Sequence, residues 1–112
     1  MAVTSVDSQQ HCIDDIDFHF PVQSLSTIIV YCLARKLYTP SEFYQYVGKE
    51  PSGLRFDALH LNTNHKPHNP FVSTGFLMCV ALIIHKVQST AFDRILELWA
   101  DFCGVEKMGF SP

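Results

Sequence analysis

A run of fourteen residues without a charged side chain, from Phe71 to Ile84, constrains the fold of this 112-residue chain more than any other feature. As an α-helix it would span about 21 Å, which is short of the ~30 Å hydrocarbon layer of a bilayer. We therefore expect a buried core helix, extending to Val87, in preference to a membrane span. A membrane is accordingly not an expected partner.

Two further segments show the apolar periodicity of helices. The first extends from Gln23 to Tyr38, and the second begins after a cap at Thr90 and ends at Gly104. The residues predicted to face the core are Leu25, Ile28, Ile29, Cys32 and Leu33 in the first helix, and Phe92, Ile95, Leu96, Trp99 and Cys103 in the second.

A short helix is predicted from Pro40 to Val47. Thr39 can cap it, Pro40 occupies its first position, and Glu42 lies three residues after the cap, which together form a capping box with the favoured proline. This is the most specific local signal in the sequence.

The expected fold is therefore mainly α: a small single-domain helical bundle of three main helices and one short helix, with a minor two-stranded pairing. That pairing would join residues 16–20 to residues 54–61, where apolar and polar residues alternate. The helical domain covers residues 21–104. Residues 1–20 contain four Asp and no Lys or Arg, which predicts an acidic, partly flexible arm, and residues 105–112 are predicted to be a frayed tail.

The charge and the cysteine content limit which binding partners and which cellular compartment are expected. The net charge of −3 and the absence of a basic stripe argue against binding to duplex nucleic acid. The first ten residues lack the basic start and apolar run of a secretory signal, and the four cysteines show no Cys-x-x-Cys spacing. An intracellular protein, cytoplasmic or nuclear, with reduced cysteines is expected.

A histidine-rich loop offers the one candidate metal site. His60, His65 and His68 lie within nine residues, close to Asp57, and imidazole with carboxylate is a ligand set that zinc favours. Their spacing matches no established zinc pattern, so a solvated loop without a cofactor is the competing interpretation. A zinc-dependent protein or enzyme that uses this loop is the alternative functional hypothesis.

Other catalytic signals are absent from the sequence. It contains no Gly-x-Ser-x-Gly elbow and no Gly-rich phosphate loop, and three of its cysteines lie in apolar stretches typical of a core. No residue is assigned a catalytic role, and enzymatic activity is not expected.

The remaining hypothesis is a small regulatory or accessory module that binds another protein or itself as a homodimer. High apolar content and few charges favour an exposed apolar patch, and tyrosines are enriched in binding sites. The expected contact surface combines the back of the first helix with the aromatic residues that follow it. Its residues are Val30, Tyr31, Ala34, Leu37, Tyr38, Phe43, Tyr44 and Tyr46.

Overall fold

The structure, a computed structural model, describes residues 1–106 and confirms a mainly helical domain. Three main helices are joined by one short helix, as predicted. In chain order the elements are β1 (Ala2–Thr4), β2 (Gln10–Cys12), α1 (Ser26–Leu37), α2 (Pro40–Phe43), α3 (Ser73–Val87) and α4 (Ala91–Cys103). A 3-10 turn, Gln23–Leu25, leads into α1, and a second, Gln88–Thr90, connects α3 to α4.

The hydrophobic core forms where α1 packs against both α3 and α4. Val30 and Ala34 of α1 lie inside it and are 2% and 0% exposed. The prediction that these two residues form a self-association face is therefore wrong, because α1 is covered on two sides. Leu25 and Ile28, which were predicted to face the core, are exposed instead. Self-association through another surface stays a prediction.

The capping box at α2 is confirmed. The Glu42 backbone N–H donates to Thr39 Oγ1 at 3.4 Å, and the Thr39 N–H donates to Glu42 Oε2 at 2.8 Å. The hydrogen bond with Thr39 lowers the pKa of the Glu42 carboxyl. The helix ends at Phe43, four residues earlier than predicted, and the turn that follows places Phe43 and Val47 in the core.

Helix α4 begins after Thr90 and is ended by Gly104 in the left-handed conformation, both as predicted, but the predicted side-chain cap at Thr90 does not form. The Thr90 hydroxyl donates to the carbonyl of Val87 at 2.8 Å and does not cap the helix. The predicted core stripe is only partly correct, because Ile95 packs against the core but other members of the stripe do not. Ala91 and Ala100 are the buried residues of α4, whereas Phe92 and Cys103 are exposed and Trp99 is half-buried.

By length and composition alone, the segment Ser73–Cys103 is long and apolar enough to cross a membrane, with a mean hydropathy of 1.4 over its most apolar window. The core helix of a soluble protein satisfies the same criterion. In this fold the segment is two helices, because the backbone at Gln88 takes a φ of 53° between α3 and α4.

The two-stranded pairing lies elsewhere than predicted. β1 and β2 form an antiparallel hairpin that pairs Ala2 with Cys12 and Thr4 with Gln10. Residues 16–20 and 54–61 form no strand, and Phe18, Phe20 and Phe56 are exposed. Alternation over five residues did not distinguish a strand from an irregular exposed segment. The predicted arm is exposed throughout, and of the predicted tail, residues 107–112 lie outside the described part of the chain.

Candidate functional site

A pocket of about 580 Å³ lies where α1 and α3 begin. Its volume is within the range of pockets that bind small molecules. One wall comes from the turn before α1 and the first residues of that helix, and the other comes from α3 and the segment before it. The lining residues are Gln23, Ser24, Ser26, Thr27, Ile28, Phe56, Phe71, Ser73 and Phe76.

Four hydroxyl groups line this pocket, and three of them are available to a ligand. The Ser26 hydroxyl donates to the carbonyl of Gln23 at 2.7 Å, which stabilises the turn. Within residues 1–106, the hydroxyls of Ser24, Thr27 and Ser73 form no hydrogen bond with another residue. Ser24 and Thr27 are three residues apart, so they lie on one side of the helical segment.

Backbone contacts hold the second wall of the pocket in place. The Ser73 N–H donates to the carbonyl of Phe56 at 2.8 Å, which joins the long segment after α2 to the start of α3. Gly75 permits a close approach of the preceding backbone, since a Cβ there would lie 1.9 Å from the carbonyl oxygen of Asn69. The position of Phe71 is supported by Tyr31, whose ring centroid is 5.3 Å away.

The electrostatic character of the pocket comes from the backbone. Both long helices begin here, and neither has a side-chain hydrogen bond at its N-cap. The positive ends of their dipoles therefore face this region, which favours a negatively charged or strongly polar ligand group. Among the described residues, the lining contains no Asp, Glu, His, Cys, Lys or Arg. The pocket can bind through hydroxyls and rings, but its lining supplies no proton acceptor.

The predicted aromatic residues do come together, mainly at the junction of α1 and α2. Tyr31, Phe43 and Tyr44 form ring contacts at 5.2–5.8 Å, and the Tyr31 and Tyr44 hydroxyls lie 3.4 Å apart. That hydrogen bond raises the pKa of Tyr31. The Arg35 guanidinium lies 5.5 Å from the rings of Phe43 and Tyr44. These contacts secure α2 against α1, and Tyr31 alone extends them to the pocket.

Of the other predicted contact residues, two contact the rest of the fold and one is exposed to solvent. The Tyr38 hydroxyl donates to the carbonyl of Leu82 at 3.0 Å, and Leu37 packs against the core. Tyr46 is exposed. None of the three lines the pocket.

The predicted histidines are brought together only in part. His60 Nδ1 and His68 Nε2 are 3.4 Å apart, and their rings stack. His65 does not complete the site: within residues 1–106, no three His, Cys, Asp or Glu side chains are grouped so that they could hold a metal ion.

Sequence reasoning missed the pocket itself. Its hydroxyl residues, Ser24, Thr27 and Ser73, are of the type found at the start of any helix, where they cap the backbone. A pocket shared by two helices whose starts are 47 residues apart in the sequence leaves no local pattern. The one available signal was the presence of hydroxyl residues at both helix starts.

Comparison with known proteins gives a consistent result along the whole chain. The Glutaminase family profile matches residues 1–112. Rattus norvegicus "Glutaminase liver isoform, mitochondrial" is 33% identical over 112 residues, which are 99% of this chain and 19% of the relative. Klebsiella pneumoniae "Glutaminase" (strain MGH 78578) is 32% identical over 114 residues, covering 100% of this chain and 37% of the relative. The chain thus spans well under half the length of these relatives.

These matches contradict the expectation of a non-catalytic regulatory or accessory module. They also point to an enzyme family, against the expectation of no enzymatic activity. The error arose because the sequence contains none of the general catalytic motifs from which an enzyme could be inferred, whereas the family match extends over residues 1–112. The mitochondrial location in the name of the rat relative agrees with an intracellular protein and gives no support to a nuclear one. The chain belongs to the glutaminase family.

Proposed function

We propose that this chain contributes the substrate pocket of a glutaminase, which hydrolyses the side-chain carboxamide of glutamine to glutamate and ammonia. The family match over residues 1–112 carries the proposal. The pocket at the starts of α1 and α3 is the part of the described structure whose size and chemistry suit this ligand. The activity takes place inside the cell.

The lining suits an amino acid with a carboxamide side chain. Hydroxyl groups both donate and accept hydrogen bonds, as a carboxamide requires. Ser24, Thr27 and Ser73 provide three of them, while Phe71 and Phe76 provide apolar surface for the methylene groups. The two helix starts favour the ligand's carboxylate, because backbone N–H groups and helix dipoles attract anions there.

Hydrolysis needs one further group. A serine hydroxyl or a water molecule attacks an amide carbon effectively only when a neighbouring base accepts its proton. The described lining has none. We therefore propose that residues outside the nine that line the pocket supply the proton acceptor, while the pocket binds and orients glutamine.

The proposal is tested by measuring glutamine binding calorimetrically and ammonia release from glutamine in the same preparation. Ser24→Ala, Thr27→Val and Ser73→Ala each remove one unpartnered hydroxyl from the pocket. Each should weaken binding or turnover by at least about tenfold, the cost of one lost hydrogen bond to a polar ligand. A hydroxyl that acts as the nucleophile should show a much larger loss of turnover than of binding.

Ser89→Ala is the matched control, because Ser89 is an exposed hydroxyl residue in the turn between α3 and α4. It should leave both quantities unchanged. A chain that neither binds glutamine nor releases ammonia from it would contradict the proposal. Equal effects of the pocket variants and of Ser89→Ala would remove this pocket from the substrate site.

A further inference from the structure

The segment between α2 and α3 brings two imidazoles together outside the glutamine pocket. His60 Nδ1 and His68 Nε2 are 3.4 Å apart, and the ring planes are inclined by 21°. Neither residue lines the larger pocket; both line a small cleft with Val72 and Ser52. His68 is half-buried and His60 is exposed, so one side of the pair is open to solvent.

We propose that His60 and His68 bind a divalent transition-metal ion, with Zn²⁺ as the best fit. Zinc binds imidazole nitrogen at about 2.0–2.1 Å in tetrahedral geometry, and two such nitrogens are then about 3.3–3.4 Å apart. The nitrogens of this pair already have that separation. The ion takes the place of the proton between the two nitrogens; that proton moves to the other nitrogen of its own ring, so that both rings stay neutral and both facing nitrogens bind the ion. Water molecules occupy the two remaining positions.

Backbone hydrogen bonds hold both histidines in place before any ion binds. The His68 carbonyl accepts from the Glu50 N–H at 3.0 Å, and the neighbouring Pro67 carbonyl accepts from the Gly48 N–H at 2.8 Å. The His60 N–H donates to the carbonyl of Ala58 at 2.9 Å. Preorganised ligands lose less conformational entropy on binding, which favours a site with only two protein ligands.

Asp57, the carboxylate closest to His60 in the sequence, does not complete the ligand set. Asp57 pairs with Arg55 at 3.0 Å, and this ion pair lowers the pKa of the Asp57 carboxyl. Because Arg55 occupies both carboxylate oxygens and also lines the cleft, it competes with a cation for Asp57. The site therefore has two protein ligands and moderate affinity.

A bound ion would link two points of the segment that forms one wall of the glutamine pocket. Phe56 lies four residues before His60, and Phe71 lies three residues after His68. Because the ion binds residues 60 and 68 in their folded arrangement and not in the unfolded chain, its binding stabilises the fold.

The test is calorimetric titration with Zn²⁺ alone, together with thermal unfolding in the presence and absence of the ion. Exposed thiols also bind zinc, so a Cys12→Ser/Cys103→Ser variant serves as the reference protein. One zinc ion should bind per chain of this reference protein and raise its Tm. His60→Ala and His68→Ala should each weaken binding by at least about tenfold and abolish the Tm increase.

His65→Asn is the matched control, because His65 belongs to the same segment and has a φ of 57°, a conformation that Asn tolerates. It should keep the affinity of the reference protein. Should His68→Ala fail to fold without zinc, the exposed His60 decides the outcome. Equal zinc affinity in His60→Ala and the reference protein, or no binding by the reference protein, would overturn the proposal.

Discussion

The middle and the beginning of the α1–α3 helix pair differ sharply in packing, although the same two helices form both regions. In the middle, Val30 and Ile83 are 2% and 0% exposed. At the beginning, Ile28 of α1 and Phe71, which lies two residues before α3, are 47% and 54% exposed and line a pocket. Close packing in one region stabilises the fold, whereas incomplete packing in the other leaves apolar surface and hydroxyls available to a ligand. The close packing that stabilises the fold and the proposed binding pocket thus lie in different parts of one helix pair.

The largest expected effect contrasts two phenylalanines, one in the hydrophobic core and one at the pocket. Phe43 is fully buried between Tyr31 and Tyr44, so Phe43→Ala should lower the free energy of unfolding by about 3–5 kcal/mol. Phe71→Ala, at the pocket, should cost less than about 1 kcal/mol while weakening glutamine binding. Urea denaturation measures both changes. Equal losses of stability would show that the pocket wall belongs to the core.

Gly75→Ala tests the close backbone contact that supports the pocket wall. The added Cβ would overlap the Asn69 carbonyl, so the segment before α3 must shift, and we expect a loss of about 1–3 kcal/mol. Gly53→Ala is the control: Gly53 has a φ of 65° with open space around it, so only backbone strain applies. A Gly75→Ala variant as stable as the original protein would show that the contact is loose.

Thr39→Ala tests how much the capping box stabilises α2, the short helix that carries Phe43 into the core. Removal of the cap should cost about 1 kcal/mol. The pKa of Glu42 is lowered in the folded state. The carboxylate therefore stabilises the fold at pH values above its ordinary pKa, and this stabilisation is lost as the pH falls through the folded-state pKa. Thermal unfolding at neutral and acidic pH should therefore show a smaller acid-induced loss in Thr39→Ala than in the original protein. An unchanged acid dependence would contradict this role of the capping box.

The smallest effect concerns thiol reactivity and leaves stability untouched. Burial raises the pKa of the Cys79 thiol to about 12, so almost no thiolate forms there at neutral pH. Cys12 and Cys103 are exposed. A thiol reagent followed by mass spectrometry should label these two first and leave Cys79 unmodified until the protein unfolds. Early labelling of Cys79 would indicate that the α1–α3 core opens readily.

Much of the helical architecture could be predicted from the sequence, because each correct element has a strong local cause. The uncharged run predicted α3, the capping box predicted the start of α2, and Gly104 predicted the end of α4. Each of these signals involves residues within a few positions of one another, where helix periodicity and capping operate.

The predictions that failed depend on neighbours distant in sequence. Contacts with both α3 and α4 determine which face of α1 is buried. The apolar periodicity of α1 alone therefore predicted a buried Ile28 and an exposed Ala34, whereas Ile28 is exposed and Ala34 is buried. In α4, the buried residues are two small ones, Ala91 and Ala100, whereas Phe92 is exposed and Trp99 is half-buried. The candidate site was missed for the same reason, since its two walls are separated by at least 28 residues in the sequence.

A pocket lined by hydroxyls and rings has a consequence for the heat of ligand binding. A calorimeter records proton uptake or release as a dependence of the measured heat on the ionisation enthalpy of the buffer. Since no group in the described lining titrates near neutral pH, glutamine binding at Ser24, Thr27 and Ser73 alone should exchange no protons. The heat should then be the same in phosphate and in Tris. A difference between the two buffers would give the number of protons exchanged with an ionisable group outside this lining. The measurement is therefore a direct way to detect the missing proton acceptor.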